Sequence, residues 1–400
     1  MQNLTSRNMR GIEGRLARRA ASIEPSAVRS VLEQAERYEA LGKPMIHLEI
    51  GRPWFDTPAP VKEAAKRALD EGKVHYAPNR GIPELRQAIS EKLKRDNGIV
   101  AEPDTEVFVT CGNKQATYLT IMALVNPGDE VVVANPEYSP HEKEVVFAGG
   151  VPKHLELSAE NGWRLEEEAL RSAISERTKL IFLNTPQNPS GRVFTREELN
   201  LVADVAQEHD LLVLTDETYE YITFDGHTHH SLASFPGMAE RTISTFALTK
   251  SFAMDGWRLG YLSAPPEITA AMVKLVQLST ASPNTFAQHG AVVAVQGGRN
   301  LIQEMVAYDE RARTLFVDRL NAIGLACPPV EGTIYAFPDT TSIARSSVEA
   351  SQILLKECGV AATPGIAYGT AGEGRVRFAF GAAPIEELEE ALERIERLAR

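Results

Sequence analysis

Apolar residues along the chain follow two alternating rhythms. Short, nearly continuous runs rich in β-branched residues read EVFVT (106–110), EVVVA (130–134), KLIFL (179–183), LLVLT (211–215) and TIST (242–245). Runs of this kind predict parallel strands covered on both faces. Between most of them the apolar spacing changes to three and four residues, which predicts helices over 114–125, 141–148, 166–174 and 196–209. Thr195 followed by Glu198 has the form of a capping box opening the last of these. Ahead of this block, a helical pattern over 24–41 stops at Gly42, and the extended run MIHLEI closes on Gly51-Arg52-Pro53. Beyond 283 the rhythm changes. A long helical region covers 285–323, and short strands are expected near IYAF (334–337) and RVRFAF (375–380). A helix over 385–398 then places Leu388, Leu392, Ile395 and Leu398 on one face.

Strand–helix alternation implies a mostly parallel sheet with right-handed crossovers. The expected fold class is α/β, with a mostly parallel central sheet in a large domain and a smaller α+β domain drawn from the two chain ends. The expected division gives 1–50 to an N-terminal arm and part of the small domain, 51–284 to the large domain, and 285–400 to the small C-terminal domain.

Charge narrows the partners. With 42 Lys and Arg against 54 Asp and Glu, the net charge is −12. That field argues against general binding to nucleic acid or to an anionic membrane, while leaving room for a local basic pocket. The three cysteines, Cys111, Cys327 and Cys358, are far apart and form no CxxC pair, which argues against a disulfide framework or zinc site and suits a cytoplasmic protein. No apolar run approaches the ~18 residues of a membrane span. The first twenty residues hold five Arg against one Glu and are read as an arm rather than a transit peptide. Three of the nine His fall in DGHTHHS (225–231), read as a solvated loop rather than a metal site.

In a parallel α/β sheet, ligands bind beyond the carboxyl ends of the strands, so polar residues just after each apolar run carry the interest. NTPQNPSG (184–191) follows KLIFL, and its Asn188 offers both a donor and an acceptor. DETYEY (216–221) follows LLVLT and sets Asp216 and Tyr219 three residues apart. Gly112, Asn113 and Lys114 follow EVFVT at the start of a helix, where backbone amides, a close backbone approach and a cation suit an anion. Lys250 lies in an apolar run, and burial of a lysine favours the neutral amine that attacks carbonyls. Arg258, eight positions on, supplies a permanent charge for phosphate.

The ordered set Asn188, Asp216, Lys250 and Arg258, separated by 28, 34 and 8 residues, resembles that of the class I/II aminotransferases, the fold-type I enzymes that use pyridoxal 5′-phosphate. The resemblance runs from MIHLEIGRPWFDTP to GEGRVRFAFGAAPIEELEEALERI. Between them fall VHYAPNRGIPELRQAI, NPGDEVVVANPEYS, NTPQNPSG, LTDETYE, TKSFAMDGWRLGY and TPGIAYG. It implies an enzyme that moves an amino group from an amino acid to a 2-oxo acid in two ping-pong halves. Lys250 would join the cofactor as an imine and then move the Cα proton. Asp216 would pair with the pyridinium nitrogen, Tyr219 and Asn188 would bond the ring oxygen, and Tyr138 would stack on the ring. Gly112, Asn113, Lys114 and Arg258 would hold the phosphate. Tyr76 would reach the phosphate of a second subunit, giving a homodimer with shared sites.

The resemblance further implies that Arg377 pairs with the substrate α-carboxylate while Gly51 lets the backbone approach it. Strand periodicity sets Arg375 and Arg377 on one face and cannot choose between them; the family pattern selects Arg377. Several positions depart from that pattern: Arg52 and Trp54 in GRPWFDTP, Asp255 in AMDGW, His289, and Thr333-Ile334. Arg52 suggests an acidic or polar substrate side chain and Trp54 a planar one. The altered loop keeps open an alternative on the same scaffold, namely elimination or replacement, cyclisation or carbon–carbon bond formation. A transcriptional regulator with an aminotransferase-like domain would need a DNA-binding domain ahead of MIHLEI, where only the arm and one helix stand.

Overall fold

The computed structural model describes residues 16–21 and 23–399, so the arginine-rich start of the expected arm lies mostly outside the described residues. Among the described residues eleven strands occur, in chain order: β1 (Ile46–His47), β2 (Val107–Thr110), β3 (Glu130–Asn135), β4 (Val151–Glu156), β5 (Thr178–Asn184), β6 (Leu212–Asp216), β7 (Thr242–Ala247), β8 (Gly260–Ser263), β9 (Val360–Ala361), β10 (Thr363–Pro364) and β11 (Val376–Arg377). Seven of them form one sheet in the order β2-β8-β7-β6-β5-β3-β4. Within it only β8 is antiparallel to its neighbours, as expected for a mostly parallel sheet.

Successive residues of the central strands feed opposite layers. Val131, Val133, Leu180, Phe182 and Leu214 share a core with Leu119 and Met272, whereas Val132, Ala134, Ile181, Leu183 and Val213 share another with Leu199 and Val202. Both faces are therefore apolar and covered, which is why the runs lack polar alternation. The helix Arg196–Glu208 opens with the expected capping box: Glu198 N–H donates to Thr195 Oγ1 at 3.2 Å and Thr195 N–H to Glu198 Oε2 at 2.7 Å. Two strands of this sheet were not expected. β4 is an edge strand containing Pro152 and largely exposed side chains, so it carries no apolar run. β8 is four residues long and returns straight from the Lys250–Arg258 segment.

Towards the chain ends, β1 pairs in parallel with β9, and β10 pairs antiparallel with β11. The helix Ile385–Ala399 buries Leu388, Leu392 and Ile395 in a core shared with Phe316 and Leu320 of the helix Gln303–Ala322. The expected helical region over 285–323 divides into two helices, Thr285–Gly297 and Gln303–Ala322, with Gly298 at φ 51° between them. Ala287, Ala291 and Ala294 of the first segment pack with Val61, Leu85 and Ile89, from the helices Ala59–Asp70 and Pro83–Lys92. IYAF forms only a single bridge, Ala336 to Phe378.

The helix Gln303–Ala322 also buries Asp309, which is 6 % exposed, and burial alone pushes its carboxyl up to about 8. A carboxyl raised in the folded state stabilises fully below its unfolded value near 3.8, and that contribution is lost as pH rises towards about 8. The neutral isostere Asp309→Asn removes this linkage. Thermal unfolding from pH 4 to 8 should therefore show the wild-type Tm falling relative to the variant as pH rises; parallel Tm curves would refute a buried neutral Asp309.

Candidate active site

Beyond the carboxyl ends of β5, β6 and β7 lies a cavity of about 550 Å³. Asn184 and Asn188 reach it after β5, Asp216, Thr218 and Tyr219 after β6, and Thr249 and Lys250 after β7. Asn113 and Lys114 arrive after β2, Tyr138 and His141 after β3, and Asp255 and Arg258 from the turn before β8. The chain-end elements close the other side with Gly51, Arg52, Tyr335, Tyr368 and Arg377, while Ser26–Arg29 come from the N-terminal helix. Residues spread over most of the sequence thus meet at the place where an open α/β sheet binds ligands.

One wall is basic. Arg258 holds a left-handed backbone at φ 55°, and its Nη1 donates to Asp255 O at 2.9 Å. Asn113 Nδ2 donates to Thr218 Oγ1 at 3.0 Å, tying the helix start to the turn after β6. Gly112 does not line the cavity. It sits behind it at φ 79°, and a Cβ there would come within 2.6 Å of Arg258 Nη2, so its missing side chain makes room for the guanidinium. Burial pushes the Lys114 ammonium down despite the nearby Glu144, and crowding by Arg258, Arg29 and Lys250 adds to it.

Lys250 is half-buried, not fully enclosed as its apolar neighbours suggested, and donates to the Gly51 carbonyl. Asp216 is 5 % exposed; its Oδ1 accepts from Thr218 N–H at 3.0 Å and its Oδ2 faces His141 Nε2 at 3.2 Å. Tyr219 and Tyr335 share a hydrogen bond of 2.8 Å between their hydroxyls. Burial raises both phenols. For Tyr335 the charges of Lys250 and Arg377 and the Tyr219 hydrogen bond outweigh it and hold the group below its ordinary value, whereas Tyr219 is pushed well up. A Cβ on Gly51 would overlap the Tyr335 hydroxyl, so the glycine makes room for that phenol beside the backbone.

Of the cations that line the cavity, Arg377 is the most buried, at 2 % exposure. Its Nη1 donates to Asn188 Oδ1 at 3.0 Å and its Nη2 to Glu49 O at 2.7 Å, and it lies 4.1 Å from the Tyr335 ring centre. Nε has no hydrogen-bond partner, and among the described residues no carboxylate pairs with this guanidinium. Arg375 instead bonds Phe337 O and covers the Trp163 ring, away from the cavity.

Two expected residues stand apart. Trp54 commits its N–H to Gly381 O at 2.8 Å and leaves its side chain 48 % exposed, off the cavity wall. Tyr76 is 93 % exposed and lies outside the cavity of its own chain. His229 is not a solvated loop residue: its Nε2 pairs with buried Glu217 at 2.8 Å. Sequence reading passed over His141, Tyr335 and Tyr368, although NPEYSPH, EGTIYAFP and TPGIAYG contain them.

The sequence model of the family described as aminotransferase class I and II matches residues 43–395. An aromatic-amino-acid aminotransferase of Thermococcus litoralis is 40 % identical over 387 residues, covering 96 % of this chain and 98 % of that protein. An aspartate aminotransferase of Pyrococcus abyssi is 41 % identical over 380 residues, covering 94 % and 96 %. The solved structure of Thermus thermophilus aspartate aminotransferase with maleate superposes with a TM-score of 0.91 at 39 % identity, covering 98 % of this chain and 100 % of that one. These relatives favour amino transfer over elimination, cyclisation or carbon–carbon bond formation. With so full a match, the chain belongs to the class I/II aminotransferases and is a pyridoxal-phosphate-dependent enzyme that moves an amino group between an amino acid and a 2-oxo acid.

Proposed function

We propose that the cavity holds pyridoxal phosphate with Lys250 joined to its aldehyde carbon, and that it takes amino acids bearing a second acidic group. The donor set fits the cofactor. Arg258, Asn113 and Lys114 form a basic wall for a phosphate, and Asp216 offers a buried carboxylate for a protonated ring nitrogen. Tyr219 and Asn188 supply polar atoms for the ring oxygen, and Tyr138 supplies an aromatic face. When bound, the cofactor supplies an electron sink for the pair left on the substrate Cα. Once the substrate amine has displaced it from the cofactor, the Lys250 amine would take the Cα proton as general base and give it up again as general acid within the same half-reaction.

The observation that carries the reading is the buried guanidinium of Arg377, which lines the cavity and, among the described residues, has no carboxylate partner. A substrate α-carboxylate would complete it. Arg29, Arg52 and Lys114 also line the cavity, and mutual repulsion among such cations is relieved by a second substrate carboxylate. The relatives named for aspartate support this choice. Trp54, standing outside, lends no support to selection of a planar group. The reading includes the division at 50/51 and 284/285, with the cavity between the larger and smaller parts. It also includes a homodimer in which Tyr76 serves the partner's cavity, supported by the exposed Leu69, Val74, Tyr76 and Leu278. A cytoplasmic location is part of it, since three free cysteines suit a reducing compartment. Among the described residues, no helix is long and apolar enough to cross a membrane.

Lys250→Ala should lose both the visible absorbance of the bound cofactor and all turnover; a band that persists in the purified variant would refute the attachment. Arg377→Ala should keep that band but lose about 2–5 kcal/mol of substrate binding, a fall in kcat/KM of roughly thirtyfold or more for every donor. An unchanged KM would move the carboxylate site elsewhere. With Arg29→Ala or Arg52→Ala, KM should rise for aspartate and not for phenylalanine; equal changes for both donors would count against the second acid site. Sedimentation should give the mass of two chains, and Tyr76→Ala should weaken cofactor retention without splitting them.

A further inference from the structure

Beside Asp216 lies a buried row of ionisable groups, of which Asp216 and His141 line the cavity. His141 Nε2 is 3.2 Å from Asp216 Oδ2, and His141 Nδ1 is 3.2 Å from Glu137 Oε1, the second contact lying outside hydrogen-bond angles. Exposure is 2 % for His141, 4 % for Glu137 and 5 % for Asp216. The ring is fixed by stacking on Phe182 at 4.1 Å and by the edge-on contact with Tyr138 at 5.2 Å.

We propose that Glu137 is a positioning residue for amino transfer: it keeps the His141 imidazole doubly protonated, so that Asp216 meets a fixed cation from behind and stays an oriented carboxylate towards the cavity. This rests on the reading of Asp216 as partner of the cofactor ring nitrogen. A neutral imidazole carries one N–H and would turn a lone pair towards one of the two carboxylates, whereas the cation presents a proton to each. His141 also sits in the first turn of the helix Pro140–Ala148, an end that disfavours positive charge, so the cation must be held by neighbouring acids.

The groups around the ring agree. Glu137 and Tyr138 face it from the preceding loop, Glu144 from its own helix, Asp216 from the end of β6, and Phe182 from β5. Glu144 accepts from Thr117 Oγ1 at 3.2 Å and stands towards Lys114. Burial pushes His141 down, but the hydrogen bond to Asp216 and the negative charge of Glu137 outweigh it and lift the ring to about 10. Burial raises the Glu137 carboxyl too, opposed by His141 and by the Tyr138 N–H that donates to Oε1 at 2.6 Å.

Nitrogen-15 NMR of histidine-labelled holoenzyme tests the proposal, with the His141 signals assigned by their absence in His141→Asn. Both ring nitrogens should remain protonated through pH 8 in the wild type. In Glu137→Gln the midpoint should fall by roughly 1–3 pH units. At that new midpoint kcat should acquire a decline, with KM for the donor unchanged because Arg377 is untouched. A packing role alone would give no new midpoint. A wild-type ring titrating near the ordinary ~6.5, or a midpoint unmoved by Glu137→Gln, overturns the proposal, and the wild-type titration decides even if the variant fails to fold. If Asp216→Ala keeps cofactor band and rate, the reading of Asp216 falls and takes the positioning role with it, whatever the charge found on His141.

Discussion

The structure depends on the burial of one guanidinium. Arginine does not lose its proton in a protein, so a buried one must find its compensation in the surroundings. Around Arg377 that compensation comes from the Glu49 carbonyl, the Asn188 side-chain oxygen and the faces of Tyr335 and Tyr368. These are dipoles and ring electrons rather than an anion. They orient the group without neutralising it, and the remaining positive field opens into the cavity. The same contacts join the segment after β1, the loop after β5 and β11, so the charge centre and the meeting of three distant segments are one feature.

A second junction couples the parts electrostatically. Lys250 follows the central sheet and donates to Gly51 of the chain-end elements, while Tyr335 fills the space that a Gly51 side chain would need. The phenol is acidified by Lys250 and Arg377 and bonded to Tyr219. Any change in the charge on Lys250 is therefore felt at once by a hydroxyl on the opposite wall. The resemblance supplied Lys250, Gly51, Tyr219 and Arg377, but neither Tyr335 nor the contacts that join them.

Much of the architecture and many of the polar residues of the cavity wall could be read from the sequence, for a definite reason. Apolar runs without polar alternation mark strands covered on both sides, and the residues just after such strands fall at the sheet's ligand-binding edge. Asn188, Asp216, Asn113 and Lys114 were placed in that way. What escaped depended on neighbours distant in sequence. His141 gains its meaning only when Glu137 and Asp216 flank it. Glu217 and Glu220 in DETYEY are held by His229 and by the buried Lys92, which no local pattern announces. The choice of Arg377 over Arg375 needed a family comparison at first, since alternation puts both on one face; in the fold the two diverge because Arg375 is drawn over Trp163. Trp54 misled because a conspicuous side chain near a substrate loop need not point inward.

The single reversed strand in the large sheet has a mechanical consequence. Because β8 turns back directly beside β7, Lys250 and Arg258 sit near the two ends of one connection, residues 248–259, braced by ladder bonds on either flank. Had the next strand run with the others, a helical crossover would have intervened and left their spacing to the packing of separate layers. Here both belong to one stretch, eight positions apart and held between paired strands, and their spacing would survive a hinge movement of the chain-end elements that carries Arg377 towards or away from them.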